Sequence, residues 1–268
     1  MPAPELLREG SLDEALDRLQ DEVRRDPSNA KHRIFLFQLL SVRGEWNRAM
    51  TQLNVLGEMD PASLAMVQTY REALHCEALR AEVFAGTKSP VVFGEPPAWI
   101  ARLFEALKLT ADGHFSQAQQ LREQAFESAE ASTGTIDDQP FEWIADGDSR
   151  LGPVLEAIVN GRYYWIPFEN VGEIVLEEPS DLRDLVWMPA YLTWANGGEA
   201  PALIPTRYPG SEASEDDQVR MSRKTDWVEH EGEVYLGQGQ RMLMTDAGEY
   251  ALMDVRKISV GEQTAARE

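Results

Sequence analysis

The chain has 268 residues, 43% of them hydrophobic and 26% charged, which is too apolar for general disorder and long enough for two modest domains. Its formal net charge of −21 at pH 7 repels phosphate backbones and anionic headgroups, so neither nucleic acid nor a membrane surface is an expected partner. The acidity is uneven, −6 over residues 1–134 and −15 over residues 135–268, which places a boundary near the middle.

The N-terminal MPAPELLREG has neither a basic nor an apolar leader region, and no apolar run approaches a membrane span, so a cytoplasmic protein is expected. Two segments that follow are self-similar. Gly10, Ala15 and Asp26-Pro27 recur as Gly44, Ala49 and Asp60-Pro61 at an offset of 34 residues, the period of a tetratricopeptide helix-turn-helix unit. In that reading the glycines open the turn between paired helices, the alanines allow close approach, and the prolines start the next helix. A third partial copy begins at Gly113. Apolar stripes such as Ile34, Leu36, Phe37, Leu40 and Leu64, Val67, Tyr70, Leu74 carry the helical pattern between copies. Helices are expected at about 3–9, 11–25, 31–43, 45–59, 62–85, 98–111 and 115–130. Cys76, the single cysteine, falls in one of them and reads as a buried thiol in a reducing compartment. Residues 87–97, with three prolines and a glycine, read as a loop or linker.

From Thr135 the pattern changes to short apolar runs separated by turns. Phe141–Ala145 reads as a strand or a helix start, and Leu155–Val159 as a helix closed by Asn160-Gly161. Tyr163–Ile166 and Gly172–Leu176 read as strands, and Asp181–Trp187 as a helical turn stopped by Pro189. Ala202–Ile204, Val219–Val228, Val234–Leu236, Arg241–Met244 and Tyr250–Ile258 are strand-like, Ser211–Asp217 is an acidic surface loop, and the tail after Val260 reads as frayed. The expected fold class is α+β. A tetratricopeptide-like helical domain (1–134, with loop 87–97) precedes a smaller mixed domain (135–260) with a twisted antiparallel sheet or small barrel, then a tail (261–268).

Residues 141–208, about a quarter of the chain, hold 10 of its 23 aromatics. Such a concentration belongs to a compact core or to an interface. Trp143, Tyr163, Trp165, Trp187, Arg207 and Tyr208 are accordingly candidate protein-binding anchors, Trp, Tyr and Arg being the types enriched at interface hot spots. For Arg207 a stabilising pairing with a local carboxylate competes with that role.

Catalytic patterns are weaker. Asp146-Gly-Asp148, near Asp137-Asp138, offers carboxylates to a hard cation but lacks the further ligands of a calcium loop, so a polar turn is the better reading. Glu177-Glu178 and Asp181/Asp184 read as surface charge, and His32, His75, His114 and His230 have no ligand spacing. Gly237-Gln-Gly239 lacks the rest of a phosphate loop and reads as a hairpin turn. No catalytic, cofactor-binding or metal-binding residue is expected. The rival readings are an enzyme using Asp146 and Asp148, and a scaffold whose helices only buttress the second half.

The chain resembles the ImpE/TagJ (SciE-type) accessory proteins of bacterial type VI secretion systems. The resembling segments are Ala85-Gly86, Gly94–Trp99, Phe141–Pro153, Gly161–Phe168, Asp181–Trp187, Asn196–Glu199, Pro205–Glu212 and Gly239–Leu243, in order over most of the chain. Gly147, where another small residue is expected, is a mild departure. The resemblance implies a tetratricopeptide-like part joined to a smaller α+β part and a cytoplasmic, non-enzymatic adaptor role. Its implied partner is the N-terminal helix of the small contractile-sheath subunit, with assistance to the unfoldase that recycles sheath. It supplies no catalytic motif and no mapped binding motif.

Overall fold

The computed structural model describes residues 5, 7 and 11–261. Glu5 and Leu7 are helical, while the rest of the helix expected at 3–9, Gly10 of the first repeat copy and residues 262–268 lie outside the described residues. Six α-helices fill residues 12–128: α1 (Leu12–Arg25), α2 (Ala30–Val42), α3 (Trp46–Met59), α4 (Leu64–Phe84), α5 (Ile100–Ala111) and α6 (Phe115–Ser128). Their ends follow local chemistry. In α1 the buried set Leu12, Ala15, Leu16 and Leu19 makes one apolar stripe. Asn29 caps α2 by accepting hydrogen bonds from the Lys31 and His32 amides. Gly44, at φ +71°, ends α2 in the left-handed conformation, and the Glu45 amide reaches back to the Leu40 carbonyl at 2.9 Å. The turn between α5 and α6 at Gly113 closes in the same way, its His114 amide bonding the Leu109 carbonyl at 2.8 Å.

The remaining chain is mostly strand: β1 (Val91–Val92), β2 (Gly134–Ile136), β3 (Gln139–Phe141), β4 (Ile144–Asp146), β5 (Val154–Val159), β6 (Arg162–Pro167), β7 (Val171–Leu176), β8 (Trp187–Trp194), β9 (Glu199–Pro205), β10 (Thr225–His230), β11 (Val234–Gly239), β12 (Met242–Thr245), β13 (Glu249–Ala251) and β14 (Lys257–Val260), with a one-turn helix α7 (Asp217–Arg220) before β10. Nine strands form one open sheet in the order β1-β6-β5-β9-β8-β7-β14-β2-β3, antiparallel throughout except between β1 and β6. β13-β12-β4 and the β10-β11 hairpin form two smaller sheets. The fold is therefore α+β, helices first and a mostly antiparallel sheet after.

Three expectations need correction. Leu155–Val159 is not a helix but the inner strand β5, all six of whose residues are buried. A strand covered on both faces loses its alternation, so a continuous apolar run mimics a buried helix. Asn160 and Gly161, at φ +49° and +72°, are the two left-handed residues of the tight hairpin that pairs Val159 with Arg162, not a helix stop. The expected strand at Val219–Val228 begins only at Thr225, because Asp216 accepts from the Gln218 amide and nucleates α7. Residues 87–97 are more than a loop. Val91 and Val92 lie beside Tyr164 and Trp165 as β1, and the Phe93 amide donates to the Trp165 carbonyl at 2.9 Å.

The sheet's two faces feed two cores. Even-numbered residues of β8 and β9, including Met188, Leu192 and Ile204, join Ile174 and the C-terminal Leu243, Leu252 and Val255. The opposite face gives Val154, Ile158, Tyr163, Trp165 and Trp187 to a core shared with α1 to α6. Helices and sheet are thus joined by one continuous apolar cluster rather than merely tethered.

Candidate protein-docking site

Aromatic rings and charges meet where α4 crosses the sheet. Trp187 lies 5.6 Å from Tyr70 and 6.1 Å from Trp46 between ring centroids, and its indole N–H donates to Glu77 Oε1 at 2.8 Å. Trp165 sits between Phe84 and Phe104 and donates to the Tyr163 hydroxyl at 2.7 Å. That hydroxyl donates in turn to Glu156, at 2.5 Å. Glu156 is the hub. Arg80 of α4 grips it with Nε at 2.7 Å and Nη2 at 3.0 Å, and Arg241 pairs with it from the other side while also pairing with Asp146. Burial alone pushes the Glu156 carboxyl up, but the charges of Arg80 and Arg241 outweigh it and hold it at about 2. For Asp146 burial wins over Arg241, and the carboxyl is pushed up to about 6.

This network absorbs most of the expected anchors. Tyr163, Trp165, Trp187, Arg207 and Tyr208 are each at most 2% exposed, so the chain's own core takes the area a partner would need. Arg207 pairs with no carboxylate among the described residues. Its guanidinium donates to the Ser41 and Val42 carbonyls at the end of α2 and to the Arg220 carbonyl at the end of α7, closing two helix C-termini at once. Tyr208 accepts from the Met242 amide at 2.9 Å and lies against Trp227. Only Trp143, 41% exposed, stands outside.

The Asp146/Asp148 pair is equally committed. Asp146 accepts from the Asp148 amide and pairs with Arg241, whereas Asp148 accepts from the Arg150 side chain and from the Gly237 amide at 2.8 Å. Asp137 takes the Arg256 and Lys257 amides, and Asp184 the Ser180 and Asp181 amides. These carboxylates organise loops, and no group of three or more His, Cys, Asp or Glu converges on a cation position among the described residues. Burial pushes the Cys76 thiol up to about 12, far from a reactive thiolate.

Besides an open surface of about 460 Å³ at Phe35, Leu182, Leu185 and Arg223, two open apolar surfaces stand out among the described residues. One, of about 470 Å³, runs between the end of α6 and β4, with Trp143, Phe126, Pro153 and Met244 in its walls. The other, of about 350 Å³, lies between the N-terminal half of α4 and the sheet, with Thr69 and Glu72 on one side and Pro189, Pro201 and Leu203 on the other. Neither is lined by a lysine or arginine. Trp143 was legible as a tryptophan in the aromatic block; the second surface is lined by small and aliphatic side chains such as Pro189, Ala190, Pro201, Ala202 and Leu203, and no composition signal marks it.

An α+β chain of this order matches the family model described as ImpE protein over residues 138–259. It is 57% identical over 258 residues to the type VI secretion system accessory component TagJ of Pseudomonas aeruginosa (strain PAO1), covering 96% of this chain and 90% of the relative. The chain belongs to this ImpE/TagJ family of type VI secretion accessory components. Its fold is also that of the crystal structure of protein VPA1032 from Vibrio parahaemolyticus, with a TM-score of 0.87, 24% identity and 99% of both chains covered. No helix among the described residues is long and apolar enough to cross a membrane.

Proposed function

We propose that this accessory component is a non-enzymatic cytoplasmic adaptor that captures the N-terminal helix of the small contractile-sheath subunit and thereby assists the unfoldase that recycles contracted sheath. Its helical part, residues 1–134, is read as a tetratricopeptide-like unit serving the sheet-rich part, residues 135–260. The observation that supports the reading is that two of the open apolar grooves, one between α6 and β4 and one between α4 and the sheet, have no lysine or arginine in their linings, on a chain of net charge −21. An amphipathic helix with an apolar stripe and flanking Lys/Arg is complementary to such a groove in both shape and sign. The enzyme reading loses its support, because the carboxylates it needs are already bonded within the chain.

Isothermal titration with a synthetic peptide from the N-terminal helix of the cognate small sheath subunit tests the proposal at low and high salt. Saturable binding that weakens at high salt is expected. Absence of heat and of saturation at both salts, with the peptide shown to be helical, overturns it.

A further inference from the structure

The groove at Trp143 differs from the one beside α4 in having unpaired backbone in its walls. β4 is the outer strand of the β13-β12-β4 sheet, with Ala145 opposite Met244 and Ile144 opposite Thr245. Just past the strand, the Gly147 amide donates to the Met242 carbonyl at 2.9 Å in the same register. Antiparallel ladder bonds recur at every second residue, so Ala145 turns its N–H and C=O towards β12, while Ile144 and Asp146 turn theirs away. The Gly152 carbonyl takes the Asp146 amide at 2.7 Å, and Thr245 gives its own amide to the Gly248 carbonyl. The Ile144 N–H and C=O are left without a partner among the described residues. Another wall of the groove is the segment between α6 and β2, where residues 130–132 make no backbone hydrogen bond among the described residues. We propose that this groove takes an extended peptide strand, apolar at alternate positions and carrying a lysine or arginine, which adds to the edge of β4 at Ile144. Helix capture needs one groove only, and this site stands or falls independently of it.

Backbone, rings and charge together select the occupant. An unpaired strand edge is a template for another strand, whereas a helix satisfies its backbone internally and would leave these groups unused. Trp143 and Trp227 are 41% and 40% exposed. Trp143 lines the groove, and Trp227 reaches it across Gly147, where an added Cβ would come within 2.8 Å of the Trp227 Cη2 and 3.3 Å of the Met244 Cγ. Gly147, the departure noted in the sequence, therefore lets a second indole lie on the groove wall. Alternate side chains of a bound strand share one face and can pack on these rings. Asp146 and Asp148 are already neutralised by Arg241 and Arg150. Glu130, which also lines the adjoining groove at Glu169, forms no ion pair among the described residues, and no lysine or arginine lines either groove. A basic side chain is drawn both to Glu130 and to the indole faces. A second copy of this chain, with its net charge of −21, is repelled instead.

The test pans a phage-displayed library of random nonapeptides against the full chain and measures the enriched sequences, as fluorescently labelled synthetic peptides, by anisotropy. The expected binders alternate apolar residues, carry Lys or Arg, and weaken at least about tenfold on Trp143→Ala. Glu130→Lys weakens them and flattens their salt dependence. Both positions are exposed, and circular dichroism with a thermal melt verifies that the variants fold. Strand addition is read on the ligand. Methylating one central backbone nitrogen of a peptide removes a donor without altering a side chain and should cost about tenfold, while the same change at the peptide's ends costs nothing. Binders that tolerate N-methylation at every position, or that turn helical on binding, overturn strand addition. Binders insensitive to both Trp143→Ala and Glu130→Lys overturn the site, and a library that yields no saturable binder overturns the proposal as a whole.

Discussion

One face of the nine-stranded sheet holds two regions of opposite character. Under α4 it carries Trp165, Trp187, Tyr163 and the Glu156 hub, all at most 1% exposed and all bonded to the helical part or to one another. Beyond α4 the same face presents Val175, Tyr191 and Pro201 with no covering layer among the described residues. The largest rings and the buried arginines are therefore spent on joining the chain's own halves, where desolvation makes them most effective. Smaller side chains are left for the outside. Hot-spot composition in a two-part chain marks an interface, but here the interface is internal.

The comparison breaks most sharply at Arg80. Removing it leaves Glu156 buried with one cation fewer and the Arg207 carbonyl without its donor. Breaking a buried pair by deleting one partner costs about 3–5 kcal/mol, so Arg80→Ala should lower the unfolding free energy read from a urea titration by that much or prevent folding. A loss below about 1 kcal/mol would mean that the network is not what joins the halves. A second handle is pH. Native Asp146, pushed up from its ordinary 3.8 to about 6, holds its proton more tightly than the unfolded chain does. The stability it contributes is therefore present at low pH and lost as pH rises through about 6. Glu156, held down at about 2, acts in the opposite sense and loses its contribution only as pH falls below its ordinary 4.5. In urea titrations at stepped pH, wild type should gain on Asp146→Asn as pH falls from about 6 to about 4, and a difference that stays flat across that window would remove Asp146 from the network's titration.

The helical half was readable because its signals are local. The glycine turn at Gly44 and the 3.6-residue stripes sit within a few residues of what they determine. The sheet half was readable only where strands alternate. β5 failed that test because neighbours distant in sequence cover both its faces, and its Asn160-Gly161 hairpin signal has the same letters as a helix stop. Arg207 resisted for a related reason. Its partners are the carbonyls of Ser41, Val42 and Arg220, and a carbonyl leaves no trace in the sequence. The aromatic block reads from the sequence as core or interface, and only topology says which side of that line each ring falls on.

The smallest effect is the most discriminating. Trp143 and Trp187 are chemically identical side chains 44 positions apart in the sequence, one 41% exposed and one fully buried. Trp187→Ala removes a ring packed on Tyr70 and Trp46 and leaves Glu77 without its indole donor, a change of about 3–5 kcal/mol. Trp143 makes no comparable contact, and its replacement by alanine should fall within about 0.5 kcal/mol of wild type in a urea titration. A markedly larger loss would show that the groove between α6 and β4 depends on Trp143 for its walls. That would make the ring part of the protein's own packing, like the five buried anchors, and take it off the surface available to any partner.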